Sequence, residues 1–241
     1  MTSSLMHQRA LITGASSGIG KATALAFAKA GVNLALVSRS RDALQALAVE
    51  IRSFGVEVDV YPIDLAIVEQ VHAQITAIAD RAPIDILVNN AGMAYTGDLL
   101  TTSLADWQHV ITLNLTSVFQ CIQAVLPGMR ARQHGTIINI ASIAAQTAFP
   151  GWGAYSVSKA GLVALSKTLA VEERAHGIRV VTLYPGAVNT PLWDTETVQA
   201  DFDRSRMLAP ETVAQTIVYA ASLPPGAVIE ELTVMPSAGA L

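Results

Sequence analysis

The stretch ALITGASSGIGKATALAFAKAG, residues 10–31, carries an apolar strand-like run into a glycine-studded turn and then an alanine-rich helical pattern. Glycines fall at 14, 18 and 20. Gly14 permits a tight turn at the strand end. Gly18 lets backbone come close to a phosphate, and Gly20 lets the helix lie against the sheet. The helix that follows offers free N–H groups and a positive dipole end to a pyrophosphate. A plain strand-to-helix loop uses the same residues, but this turn opens an α/β pattern. The stretch therefore predicts dinucleotide binding by a turn made of Gly14, Ser16, Ser17, Gly18, Ile19 and Gly20. Its spacing is G-x-x-x-G-x-G rather than G-x-G-x-x-G.

Outward from that turn, short apolar runs alternate with longer helical patterns. The runs are residues 10–13, 33–37, 56–60, 85–89, 136–140, 178–183 and 231–235. Helical patterns lie near 18–30, 41–53, 66–80, 104–130, 153–175 and 211–222. Such alternation builds a parallel sheet with helices on both faces, and near-continuous Val/Ile/Leu strands fit burial on both sides. The expected fold is α/β: a Rossmann-type doubly wound parallel sheet of about seven strands in a single domain, residues 1–241. The segment 186–210 breaks the rhythm with prolines, Trp193, Phe202 and mixed charge, and reads as a lid.

The 241 residues are 51% hydrophobic and 14% charged, with a mean hydropathy of +0.42. So apolar a chain needs large buried sheets and subunit contacts. A net charge of −4 with no basic run argues against nucleic acid as a partner. The amino end lacks the apolar core of a signal peptide, and no run of uncharged apolar residues indicates a membrane span. A cytoplasmic setting follows as the expectation. Cys121, the one cysteine, reads as a buried small hydrophobe. Five scattered histidines without ligand spacing predict no metal site.

Several stretches occur together. They are TGASSGIG (13–20), NNAG (89–92), Asn114, Ser142, YSVSK (155–159), and Pro185–Gly186 followed by Thr190. In order and spacing this set resembles the short-chain dehydrogenase/reductase family, over essentially the whole chain. After the second strand, VSRSRD places Ser38 and Arg39 where an acidic residue would bond ribose hydroxyls. Guanidinium suits a 2′-phosphate, so NADP(H) is favoured over NAD(H). The resemblance implies further cofactor contacts. Asp64 and Leu65 would lie at the adenine and Asn90, Ala91 and Gly92 beside the adenosine ribose. Pro185, Gly186, Val188 and Thr190 would lie near the nicotinamide.

Tyr155 and Lys159 are one helical turn apart, so both heads can point at one site. Reducing a carbonyl by hydride requires a proton donor, and a free tyrosine with a pKa of roughly 10 is a weak acid. An ammonium nearby is expected to lower that pKa. By resemblance, Tyr155 is the general acid/base and Lys159 also holds the nicotinamide ribose. Ser142 bonds the carbonyl oxygen, and Asn114 holds a water of a proton relay. Without the resemblance, Asn114 reads as a buried, hydrogen-bonding kink in a helix. Met93, Tyr95, Ala144, Phe149, Trp152, Leu192 and Trp193 are candidates for the substrate pocket. Their character suggests an uncharged carbonyl or alcohol, or one with an apolar end. A 3-oxoacyl-thioester reductase and a non-catalytic NADP(H)-sensing protein are the alternatives. The terminal LTVMPSAGAL, residues 232–241, departs from the DGG-like ending typical of the thioester reductases. Family members commonly form tetramers through helices that fall here near 104–130 and 153–175, so a homo-oligomer, tetramer or dimer, is expected.

Overall fold

The computed structural model describes residues 5–200 and 202–239. Among these, seven strands form one sheet in the order β3-β2-β1-β4-β5-β6-β7. The strands are β1 (Arg9–Thr13), β2 (Asn33–Ser38), β3 (Val58–Pro62), β4 (Ile86–Asn89), β5 (Gly135–Ile140), β6 (Ile178–Pro185) and β7 (Glu231–Val234). Every neighbouring pair is parallel. The helices are α1 (Gly18–Lys29), α2 (Arg41–Arg52), α3 (Val68–Arg81), α4 (Leu104–Ile111), α5 (Ser117–Arg132), α6 (Gly153–Glu173) and α7 (Pro210–Ala221). Strand order reverses between β1 and β4. In such sheets a crevice opens at that point, beyond the carboxyl ends of the strands.

Side-chain alternation along the strands divides the core in two. Ala10, Ile12, Leu34 and Leu36 face Phe27, Leu44 and Ile217, from α1, α2 and α7. Leu11, Val37 and Leu87 face the other way, towards Ile75, Val125 and Leu162 of α3, α5 and α6. A fully buried Leu, Ile or Phe contributes roughly 1.5–3 kcal/mol, so the two layers account for the favourable side of folding. Cys121 is buried in the second layer, and burial pushes its thiol up to about 12.

Two expectations need correction. Strand β3 spans Val58–Pro62 rather than 56–60. It lies at the sheet edge, where Pro62, which lacks an N–H, can still pair with Ser38. The helix expected over 104–130 is two helices joined by a π-helical turn at Thr112–Thr116. Asn114 in that turn is fully buried and bonds to Met93 backbone, which holds the extra residue in place. Within the segment 186–210, short 3₁₀ turns form at Pro191–Asp194 and Arg204–Arg206, and a bridge joins Val188 to Leu208. Residue 201 of that segment, and positions 1–4 and 240–241 at the two ends, lie outside the described residues.

By length and hydropathy alone, the span Leu104–Arg132 is apolar enough to cross a bilayer, with a hydropathy of 1.4. In the fold 44% of that window is buried, and its apolar face packs in the core of the second layer.

The tightest approach in the fold is at Gly20. A Cβ there would sit 2.2 Å from the Gly14 carbonyl oxygen and 2.6 Å from Asn90 Nδ2. Gly226 has nothing within 4 Å. Gly20→Ala is expected to lose at least about 2 kcal/mol in a denaturant melt. Gly226→Ala is expected to stay within about 0.5 kcal/mol of the parent. Equal losses would show that the Gly14–Gly20 approach is not what limits the fold.

Candidate active site

The turn after β1 sits where the sequence places it. Gly14 has φ +65° and Gly18 φ +52°, both in the left-handed region. Gly20 is packed beneath the turn and does not line the crevice. Ser17 precedes α1 in extended conformation and makes no side-chain bond to the first turn of the helix. That end is left uncapped toward the crevice.

The strand ends are stapled together at the crevice. Thr13 Oγ1 accepts from the backbone N–H of Asn90 and of Ala91, each at 3.0 Å. Asn90 Nδ2 returns bonds to the Thr13 and Gly14 carbonyls at 3.0 and 3.2 Å. Beside them, Ser38 closes β2 with its Oγ buried and unpartnered. Arg39 follows, exposed on the rim. Ser40, not singled out from sequence, lines the same rim and caps α2 through Ala43 N. Asp64 keeps one carboxylate oxygen on Ala66 N at 3.0 Å, a local turn bond, and also faces the crevice.

The crevice has a volume of about 470 Å³. Its lining gathers Gly14, Ser16, Ser17, Gly18 and Ile19 of the turn with Leu65, Ala91, Gly92, Pro185, Gly186, Val188 and Thr190. Ser142, Tyr155 and Lys159 form part of the same surface. Ser142 lies just past β5 and caps a 3₁₀ turn, Ile143–Ala145, accepting from Ala144 N at 3.1 Å. Tyr155 and Lys159 lie in the first two turns of α6, both buried. Lys159 Nζ donates to the Ile140 carbonyl at 2.8 Å, at the end of β5. It lies 5.8 Å from the centre of the Tyr155 ring.

Asn114 does not line the crevice. It sits one layer behind Gly92, whose added Cβ would meet Asn114 Oδ1 at 3.1 Å and Lys159 Nζ at 3.6 Å. Its Oδ1 accepts from Met93 N at 2.8 Å, and its Nδ2 donates to Met93 O and Ser158 Oγ, each at 2.9 Å. Ser158 in turn donates to Tyr155 O at 2.7 Å. Sequence reading passed over Ser158. Its place three residues after Tyr155 and one before Lys159, on a helix, was the available signal.

Burial sets the electrostatics of the centre. It pulls the Lys159 ammonium down to about 8. It pushes the Tyr155 phenol above its ordinary value, and a hydrogen bond from Ser142 works against that push. The expected lowering of Tyr155 by Lys159 is therefore not the leading effect. Lys159 is turned to the Ile140 carbonyl, and desolvation dominates both groups.

Beyond Tyr155 the crevice is aromatic. Trp152 meets the Tyr155 ring edge to face at 5.5 Å, Trp193 meets Trp152 at 5.9 Å, and Phe202 meets Trp193 at 5.3 Å. Met93, Ala144, Phe149 and Leu192 line this end as expected. Tyr95 does not: it lies outside the lining, with its hydroxyl 3.5 Å from Asp106 of α4. The segment carrying Trp193 is held by Arg204, which bonds Asn189 Oδ1 at 2.8 Å, Thr190 O at 2.9 Å and Asp194 Oδ1 at 2.5 Å. Among the described residues no cluster of His, Cys, Asp and Glu offers a metal site.

Comparison with known proteins gives a consistent result. The family model for short chain dehydrogenases matches residues 8–201. A 3-oxoacyl-(acyl-carrier-protein) reductase of Synechocystis is 40% identical over 232 residues, 93% of each chain. One of Thermotoga maritima is 36% identical, covering 88% of this chain and 89% of its own. Among solved structures, L-sorbose reductase of Gluconobacter frateurii, complexed with NADPH and L-sorbose, superposes with a TM-score of 0.89 at 32% identity and 98% coverage of both chains. An alcohol dehydrogenase of Thermococcus sibiricus with 5-hydroxy-NADP gives a TM-score of 0.88 at 30% identity, covering 96% of this chain and 97% of that one. With the glycine turn, the stapled strand ends and the Ser142–Tyr155–Lys159 grouping in one crevice, the match over most of the length shows that this chain belongs to the short-chain dehydrogenase family.

Proposed function

We propose that this oxidoreductase is an NADP(H)-dependent carbonyl reductase, working reversibly on a ketone or secondary alcohol with Tyr155 as the proton donor. The observation that carries the reading is the convergence of Ser142, Tyr155 and a buried, carboxylate-free Lys159 on one wall of the crevice. The residues fit the cofactor. The uncapped start of α1 would take a pyrophosphate, and Ser38, with its orphaned Oγ, together with Arg39 would take a 2′-phosphate. Asp64 and Leu65 would flank the adenine and Asn90, Ala91 and Gly92 its ribose. Lys159 would hold the nicotinamide ribose, with Pro185, Gly186, Val188 and Thr190 around the carboxamide. Bound there, NADPH supplies the hydride that carbonyl reduction needs.

The protein's own part is to manage the proton. A phenol raised by burial stays protonated at neutral pH, the form required of an acid. The Ser142 hydroxyl donates to an oxygen that gains charge, where a fixed dipole stabilises most. Lys159, still largely charged at neutral pH, favours the phenolate left behind. Asn114 and Ser158 hold the π turn and the α6 backbone in register behind these groups, and a water at Asn114 is the proposed exit for the proton. The segment 186–210 is proposed as the cover of the site. A cytoplasmic homo-oligomer, dimer or tetramer, belongs to the same reading. Leu104, Phe119, Val157 and Val171 are exposed on α4, α5 and α6, and light scattering in solution should find no monomer.

A second reading, reduction of a 3-oxoacyl thioester, is favoured by the names of the two bacterial relatives. Oxidation of NADPH with an acetoacetyl thioester beside a panel of ketones separates the two, since turnover of the thioester alone would select the second. Under either, Tyr155→Phe should cost at least about 10²-fold in kcat. Unchanged turnover in that variant would remove Tyr155 from the chemistry. NADPH should serve better than NADH, and Arg39→Ala should narrow that preference about tenfold or more.

The pH dependence has a definite sign. Reduction needs a protonated Tyr155 and a charged Lys159, both favoured at low pH. Lys159 loses its proton as pH rises through about 8. The value of kcat/KM for reduction should therefore fall above about pH 8, as a pH–rate profile would show. A rate that climbs steadily from pH 7 to 10 would contradict the assigned protonation states.

A further inference from the structure

Charge is distributed unevenly along the crevice. Among the described residues, its charged lining consists of Arg39, Asp64 and Lys159. Arg39 and Asp64 stand at the end where β2 and β3 finish, and Lys159 lies beneath Tyr155 with its ammonium on the Ile140 carbonyl. Among the described residues, no charged side chain lines the end beyond Tyr155. Asp194, next to Trp193, is bonded to Arg204 at 2.5 Å.

What stands there instead is a row of rings in successive edge-to-face contact, running from the proton donor itself: Tyr155, Trp152, Trp193, Phe202. Three separate pieces of chain contribute to it, namely the start of α6, the 191–194 turn and residue 202. Trp193 has its Nε1 bonded to the Val188 carbonyl at 2.8 Å, so the ring makes no demand on a polar ligand. Trp152, Trp193 and Phe202 are each only partly buried, although they line a concave site. Partly open aromatic faces and edges in a concavity favour an apolar, flat ligand, which removes them from water and extends the edge-to-face pattern. A carboxylate placed among them would lose its hydration with no counter-charge to replace it.

We infer that Trp152, Trp193 and Phe202 form a specificity wall that selects uncharged ketones bearing an aryl or similarly flat apolar substituent. The wall sets the substituent against the rings while the carbonyl oxygen lies toward Ser142 and Tyr155. The inference rests on the carbonyl-reductase reading and narrows its substrate class. Trp152 is the pivot, because it touches both the Tyr155 ring and the Trp193 ring.

The test compares acetophenone, 4-acetylbenzoate and 2-butanone as oxidants of NADPH. It is run on the parent protein, Trp152→Ala and Trp152→Phe. Saturation-transfer NMR of acetophenone, with and without NADP⁺, gives a readout independent of turnover. Acetophenone should exceed each of the other two by at least about tenfold in kcat/KM. The acetophenone-to-butanone ratio should fall about tenfold in Trp152→Ala and recover in part in Trp152→Phe, which keeps a ring. Equal use of 4-acetylbenzoate or 2-butanone by the parent, or a ratio unmoved in Trp152→Ala, would overturn the inference. Binding of acetophenone that is lost in Trp152→Ala, with no ketone turned over, would uphold the wall and overturn the carbonyl-reductase reading. Neither binding nor turnover would overturn both.

Discussion

The structure depends on the staple between the ends of β1 and β4. Gly14 turns the chain in the left-handed region, and Gly20 lies so close beneath it that a single Cβ would strike the Gly14 carbonyl oxygen. Thr13 and Asn90 then tie the turn to the neighbouring strand through four hydrogen bonds. These bonds satisfy backbone groups that would otherwise be left unpaired where two parallel strands end and separate. They also fix where α1 begins, and with it the uncapped helix terminus. Every other feature of the crevice is placed relative to that point: Ser38 and Arg39 on one side of β1, Ser142 and α6 on the other.

From that constraint one can see why much of the fold was legible in the sequence. A parallel sheet covered on both faces writes itself as apolar runs of strand length, and the runs at 33–37, 136–140 and 178–183 fall inside β2, β5 and β6. The misses share a cause. At the β3 edge, ladder pairing carried the strand through Tyr61 and Pro62, where composition signals a turn. At Asn114 the sequence offered a buried kink within one helix over 104–130, but did not show that a single buried amide with backbone partners on Met93 makes it a π turn. Long-range partners decide both, and neither partner is visible in a local window. Tyr95 belongs with these: its neighbours after β4 enter the crevice, but its own hydroxyl is directed to Asp106.

The site divides in the same way. Residue types at fixed offsets were readable, because Tyr155 and Lys159 one turn apart on a helix share a face whatever surrounds them. Their electrostatics were not readable, since a pKa depends on what water has been replaced by. The Lys159 ammonium is buried against a neutral carbonyl, with Asn114 and Gly92 close by, rather than against a carboxylate. Its own charge is thereby made costly, and its pull on Tyr155 does not lead. The sequence expectation of a lowered phenol assumed a solvated ammonium acting across a short gap. The structure shows two desolvated groups, the phenol pushed up and the ammonium pulled down, so that their proton affinities, close in water, move apart.

That divergence bears on what the crevice can accept. A phenol that keeps its proton beside an ammonium of lower proton affinity can serve as an acid, provided that no stray charge nearby disturbs the pair. A fixed anion or cation at the aromatic end would shift both groups at once, because the surroundings screen poorly. The rings of Trp152, Trp193 and Phe202 bring no charge to that end and leave both groups as the fold sets them. The charged end, with Arg39 and Asp64, is kept at the opposite side of the crevice, where the proposed task is to hold a phosphate-bearing group rather than to move a proton. Separation of the charged rim from the buried Tyr155–Lys159 centre thus follows from the strand order itself. The switch point at β1 and β4 sends the polar rim of β2 and β3 to one side and the buried centre of β5 and α6 to the other.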